Sequence, residues 1–245
     1  MENSKAPYFR RWGEISFILA AIFTTMGVAL MTKANFGLSM IVAPAYIISE
    51  VSDILTFGMS EYIIQAILLA TLFVIIKRVE WRYALSFLSA IIYGAILDFF
   101  IIIFNSNNVP DELWVRILLY IVGLLASDFG VALYFNSYLP PCAYDLFVRE
   151  ASRHLHIKMT KFKIAYDWSS LAVALILSLL FFRRLHGIGI GTIVCAAVNG
   201  PLIGLFSKLM YRFIDFSPRI SKLHSLIAVS SDIDAEKQKD CSSSQ

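Results

Sequence analysis

Of the 245 residues, 58% are hydrophobic and 16% charged, and the mean hydropathy is +0.70. That balance is too apolar for a soluble domain, so the lipid bilayer is the expected solvent. The net charge of +3 sits mainly in loops and ends, where it suits anionic lipid headgroups rather than nucleic acid.

In chain order, six apolar runs are long enough to cross roughly 30 Å of hydrocarbon as helices: about 14–33, 60–76, 84–104, 114–135, 163–182 and 188–210. Arg10 and Arg11 lead into the first run as in a signal peptide. That run is too long and no cleavage site follows, so it reads as a retained anchor. Two shorter apolar pieces, about 38–54 and 139–148, follow the first and fourth runs. From Asp215 the hydrophobicity collapses, and 215–245 reads as a polar, disordered tail, with 217–229 a candidate interfacial helix.

The two short pieces belong to a repeat. GVALMTKANFGLSMIVAP (Gly27 to Pro44) returns 103 residues later as GVALYFNSYLPPCAYDLF (Gly130 to Phe147). Further pairs follow: Met59-Ser60 with Met159-Thr160, Lys77-Arg78 with Arg183-Arg184, and Tyr93-Gly94 with Asn199-Gly200. Each half therefore reads as span, broken piece, span, span. With three crossings per half, the second copy enters the membrane inverted, as in many secondary transporters. The expected fold is an all-α polytopic membrane protein with six transmembrane helices in two three-helix repeats, each carrying a broken or re-entrant short helix.

Placement of Lys and Arg sets the topology. If neither short piece crosses, the N-terminus is inside and the outside holds only Lys33, Arg116, Arg183 and Arg184. This gives a cytoplasmic N-terminus (1–13), a first membrane repeat (14–104), an external loop (105–113), a second repeat (114–214) and a cytoplasmic tail (215–245). The repeated basic pair works against the rule, because inversion must place one copy outside.

A break in a membrane helix leaves backbone polar groups unpaired, which is tolerated only where protein buries them or a polar cavity meets them. The breaks fall at Lys33 to Gly37 and at Asn136 to Pro141. Gly37 relaxes the backbone, while Pro140 and Pro141 forbid a continuous helix. Short helices starting at Ser39 and Cys142 would aim positive ends at a solute. Lys33, Asn35 and Asn136 are candidate solute contacts, weighed against a Lys that snorkels to headgroups and Asn residues that merely end helices. Acidic residues within spans are costly and therefore functional candidates. Asp98, Asp128, Asp145 and Asp167 are the candidates for coupling. Asp145 adjoins a break and is the strongest of them, against a surface pair with Arg149. Asp167 could instead pair with Lys161 or Lys163, and Asp98 could be a structural hydrogen-bonding group.

No enzyme motif is visible, and no cofactor is expected. Cys142, Cys195 and Cys241 are an odd, widely spaced set without CxxC, which argues against a disulfide framework or a zinc site. His154 and His156 lack accompanying ligands and read as part of a headgroup-facing loop. The glycines of Gly187 to Thr192 suit a tight turn and close helix packing rather than phosphate binding.

GVALMTKANFGLS, and Asp167 followed by GIGIGTIVCAAVNGPLIGLF (Gly187 to Phe206), resemble the YczE/YyaS/YitT family of bacterial integral membrane proteins. The likeness covers about 15–210 and is carried best by Gly189 to Thr192 and Asn199 to Pro201. The second-half break, Leu139-Pro140-Pro141-Cys142, departs from that family's small, Gly-rich break. The resemblance implies a multi-pass protein of the bacterial plasma membrane and assigns no defined activity. The expected function is a secondary transporter or solute-binding membrane protein for a small polar or anionic solute. The alternatives are a solute-binding subunit of an energised complex or a non-transporting scaffold. Besides lipid and solute, a second copy or a membrane partner protein could dock on the small residues Ala20, Thr24 and Gly27.

Overall fold

A computed structural model describes residues 13–77, 81–106, 110, 112–137 and 142–213, and these are helical apart from turns and connections. The helices are α1 (Gly13–Ala34), α2 (Ala43–Val51), α3 (Phe57–Ile76), α4 (Trp81–Ser106), α5 (Leu113–Asn136), α6 (Ala143–His154), α7 (Met159–Phe182) and α8 (Ile190–Phe213). Six of them, all but α2 and α6, are long and apolar enough to span a membrane. Large apolar side chains such as Leu180 (68% exposed) and Ile193 (70%) stand on their outer faces. Such exposure suits lipid and not water, and the chain is a multi-pass membrane protein.

The helices end where the backbone turns left-handed. Asn35 closes α1 at φ 55°, and Gly37 follows at φ 108°. Both residue types tolerate this region. The basic residues Lys77 and Arg183 close α3 and α7 at φ 55° and 53°. Pro44 stands in the first turn of α2, where its missing N–H costs no helical bond.

The core of the bundle is an antiparallel pair, α1 with α5. Phe17 meets Tyr134, Phe23 meets Phe129, and Arg116 reaches Ala34 at the far end. The two backbones touch through small residues. A Cβ on Gly27 would lie 2.4 Å from Ser127 N, and one on Gly130 would lie 2.3 Å from Thr24 Oγ1 and 2.9 Å from the Ala20 carbonyl. Ala20, Thr24 and Gly27 therefore seat a helix of the same chain, which corrects the expectation that they face a partner. Their close approach takes the place of a hydrophobic driving force, which lipid does not supply.

Around this pair, α4 packs on α1 and α8 on α5, α2 on α3 and α6 on α7, and crosswise α2 on α7 and α6 on α3. In addition α3 packs on α4, where a Cβ on Gly58 would lie 2.0 Å from the Gly94 carbonyl oxygen. No comparable seam joins α7 to α8, and Cβ atoms on Gly200 or Gly204 would meet nothing within 4 Å. The start of α1 and the end of α8 meet, Met210 packing in one cluster with Ala20 and Ala21.

The short helices differ in detail from the sequence reading. α2 begins at Ala43 rather than Ser39, because Ser39 instead opens a turn whose carbonyl accepts from Val42 and Ala43 N–H. α6 runs on to His154, past the expected 148, because its polar residues lie on one face while Leu146, Phe147, Val148 and Ala151 are buried. His154 is thus helical and His156 sits just beyond at φ 55°. At 9 and 12 residues, α2 and α6 extend about 14 and 18 Å at 1.5 Å per residue, too little to cross. Residues 1–12, residues 107–109 and 111 of the expected external loop, the candidate interfacial helix 217–229 and the tail from 214 lie outside the described residues.

Candidate functional site

The first break is a packed joint. Arg116 of α5 donates from Nε to the Ala34 carbonyl (2.9 Å) and from Nη2 to the Asn35 carbonyl (3.2 Å), and its guanidinium lies 5.0 Å from the Phe36 ring centroid. A fixed cation thus satisfies the unpaired carbonyls at the negative end of α1. On the other side lies the glycine-rich turn before α8. Gly191 N–H donates to the Phe36 carbonyl (2.9 Å) and Leu38 N–H to the Gly187 carbonyl (3.1 Å). A Cβ on Gly189 would lie 2.4 Å from Phe36 O, and one on Gly37 would lie 2.6 Å from Gly189 N. Close packing is therefore what the Gly187 to Thr192 glycines do. Tyr120 completes the joint, its hydroxyl donating to the Gly191 carbonyl at 2.6 Å.

Beyond this joint the chain turns inward and lines a cavity of about 320 Å³ with Leu38, Ser39 and Val42. The chain after the second break lines the same cavity with Cys142, Tyr144 and Asp145. Asp128 on α5 and Lys163 and Asp167 on α7 complete its charged wall, and Gln65, Tyr93 and Asn199 add polar groups. The volume is that of a small-molecule site.

Five of the expected residues thus meet at one place: Ser39, Asp128, Cys142, Asp145 and Asp167. Asp128 is 1% exposed and its Oδ2 has no hydrogen-bond partner. Asp167 stands 4.0 Å from Lys163 Nζ, the helix-face pair weighed from sequence. Asp145 turns to the cavity rather than to Arg149, which is exposed and paired at 3.8 Å with Glu150. Burial pushes the Asp145 carboxyl above its ordinary value; Lys163 pulls it back and Asp167 pushes it further up.

The remaining expected residues stand elsewhere. Lys33 sits in the last turn of α1, where it complements the helix dipole, and does not line the cavity. Asn35 is the exposed left-handed residue that ends α1, and Asn136 donates to its own helix at the Ala132 carbonyl (2.9 Å). Because α1 and α5 are antiparallel, these two Asn residues lie about 30 Å apart, some 20 residues of helix rise. The breaks themselves therefore do not meet; the segments that follow them line one cavity. Asp98 accepts from Thr56 Oγ1 (2.6 Å) and Gly58 N–H (2.7 Å), capping α3 away from the cavity. It is the structural group weighed from sequence rather than a cavity acid. Pro140 and Pro141 lie outside the described residues.

Sequence reasoning missed Glu61. Starting the second span at 60 placed this acid at the interface, whereas α3 begins at Phe57 and α6 covers Glu61 completely. Tyr144 OH donates to Glu61 Oε2 (2.8 Å), Gln65 Nε2 approaches the same oxygen (3.4 Å), and Gln65 Oε1 accepts from Ala143 N–H at the start of α6 (3.2 Å). The positive end of α6 is thus already met by Gln65 and by Asp145 in its first turn. It does not stand open for an anion. Arg116 was also missed, since a charge beside an external loop reads as a topology marker; it is a helix cap.

Among the described residues no group of three or more His, Cys, Asp or Glu side chains could hold a metal ion. No curated protein and no solved structure matches the chain. A family profile does match, over residues 10–208, and by that match the chain belongs to a family of unknown function, DUF6198.

Proposed function

We propose that the chain is a small secondary transporter that binds its solute in the cavity between two inverted halves. The observation that carries this reading is the shared lining: the segments after both breaks, Leu38 to Val42 and Cys142 to Asp145, face one cavity that also holds Asp128 and Asp167. Support for the repeat comes from the packing. The α1–α4, α2–α3 and α2–α7 contacts recur as α5–α8, α6–α7 and α6–α3, α1 runs antiparallel to α5, and Lys77 and Arg183 close α3 and α7 in the same left-handed conformation. Support for re-entry comes from depth. α6 starts beside Gln65, part-way along α3, and Ala43 at the start of α2 packs against Ala174, part-way along α7.

In this reading six helices cross the bacterial plasma membrane, both termini are cytoplasmic, and α2 and α6 enter without crossing. The end of the bundle that carries Lys33, Arg116, Arg183 and Arg184 faces outward. The residues that resemble the YczE/YyaS/YitT family have tasks here: Gly189 and Gly191 hold the first break and Asn199 lines the cavity. Three aspartates against one lysine make an anionic solute a poor fit, so the solute is polar and not anionic. Purified protein in liposomes tests the reading: an imposed ion gradient drives uptake from a pooled set of small polar solutes, and Asp128→Asn abolishes it. Binding without any gradient-driven uptake would assign the chain to a binding subunit instead.

A further inference from the structure

The unpaired atoms around the cavity say what it takes. Asp128 Oδ2, Asp167 Oδ1 and Asn199 Oδ1 are buried without a hydrogen-bond partner, and all three residues line the cavity. Carboxylate and amide oxygens only accept, so their missing partner is a donor. Lys163 stands 4.0 Å from that same Asp167 oxygen and its charge also acts on Asp145, which leaves Asp128 without a cation of its own among the described residues. Glu61 adds a further acid directly behind Tyr144. The aromatic groups Tyr93, Tyr134, Phe135 and Tyr144 stand on the same lining and offer faces that attract a cation. The rest of the wall is apolar, with Val28, Met31 and Leu124 among its members.

A bare inorganic cation does not fit this arrangement, because it asks for several converging oxygens and no group of three or more His, Cys, Asp or Glu side chains among the described residues could hold a metal ion. An organic cation does, since its charged head and apolar body match the two kinds of wall. The cavity also reaches the flank of the bundle between α7 and α8, where the lining residues Ile164, Ala196 and Gly200 are exposed. That opening faces the apolar side that lipid covers.

We infer that the solute is a small organic ammonium with an apolar body, its head held by Asp128, Asp167 and Asn199 and its body lying toward the opening between α7 and α8. This rests on reading the cavity as the solute site, and the test separates the two. The protein carrying Cys142 as its sole cysteine (Cys195→Ser, Cys241→Ser) is placed in liposomes and labelled with methanethiosulfonates bearing ethylammonium, ethylsulfonate or a neutral methyl group. Rates are normalised to those with a free thiol. The ammonium reagent is expected to react about tenfold faster than the sulfonate, the scale on which a charged, low-dielectric cleft concentrates counter-ions. Phenethylammonium should slow labelling, and 2-phenylethanol and phenylacetate at the same concentration should not. Asp128→Asn and, independently, Asp167→Asn should each bring the ratio toward one. Labelling by all three reagents without charge preference, or equal protection by phenylacetate, overturns the ammonium assignment and leaves the cavity as a solute site. Failure of even the neutral reagent to reach Cys142 overturns both.

Discussion

The two outer helix pairs of this bundle begin from matching sequence and end in different states. In the first half, α3 and α4 are locked backbone to backbone at Gly58 and Gly94, and Asp98 on α4 caps the start of α3. In the second half, Gly200 keeps the small residue of Gly94, but its counterpart opposite is Lys158 rather than Gly58, and Gly204 replaces Asp98. Without a second glycine or a capping acid, α7 and α8 stand apart, and the cavity opens between them. A close-packed seam needs small residues on both helices; one face alone leaves a gap. The closed pair acts as scaffold, and the open pair carries Lys163, Asp167 and Asn199.

The largest effect that breaks this comparison belongs to Gly58→Ala, whose Cβ would sit 2.0 Å from a backbone carbonyl oxygen. A loss of about 1–3 kcal/mol is expected from overpacking, read as a lower thermal midpoint in detergent, whereas Gly200→Ala should be neutral or gain up to about 1 kcal/mol from helix propensity. Equal losses at both positions would mean that the second seam is closed. Next comes Asp98→Ala, which removes both acceptors at the start of α3 and should cost about 1.5–3 kcal/mol, as for hydrogen bonds to a charged group. In the liposome assay it should leave the charge preference of Cys142 labelling unchanged; a change there would put Asp98 in the site.

Arg116→Lys sharpens the picture at the first break. A lysine cannot serve two carbonyls with a planar fork, so a loss of about 1 kcal/mol is expected, read as a lower thermal midpoint in detergent. An unchanged midpoint would leave the joint held by the glycine turn alone.

The smallest effect concerns acid and base. Because burial raises the Asp145 carboxyl above its unfolded value, its ionisation weighs against the fold as pH rises through the raised value, and its contribution is most favourable below the ordinary carboxylate value of about 3.9. Asp145→Asn should therefore raise the thermal midpoint at neutral pH and leave it unchanged in acid. A lowered midpoint at neutral pH would show that the charged form is the one the fold holds.

Much of the architecture was legible in the chain. The six spans follow from unbroken apolar runs, and the repeat GVAL–break–short piece located both segments that line the cavity. What sequence could not supply is depth and neighbour. Asn35 and Asn136 are equivalent in sequence, yet antiparallel packing of α1 and α5 sends them to opposite ends. Glu61 lay at a span edge by hydropathy and became a buried acid only because α6 folds over it. Lys163 was legible as the partner of Asp167, but its place in a shared cavity depends on α7 standing away from α8. The polar or anionic solute expected from the sequence rested on Lys33 and two helix N-termini, whereas Lys33 stands outside the cavity and the start of α6 is met by Gln65 and Asp145.

The central claim is that the segments after the two breaks serve one solute site. Two single-cysteine proteins test it most directly, one retaining Cys142 and one carrying Ser39→Cys in a background where Cys142, Cys195 and Cys241 are Ser. In liposomes, phenethylammonium, or whichever solute the uptake assay returns, should protect both positions from alkylation with the same concentration dependence. Protection at one position with undiminished labelling at the other would contradict a shared site.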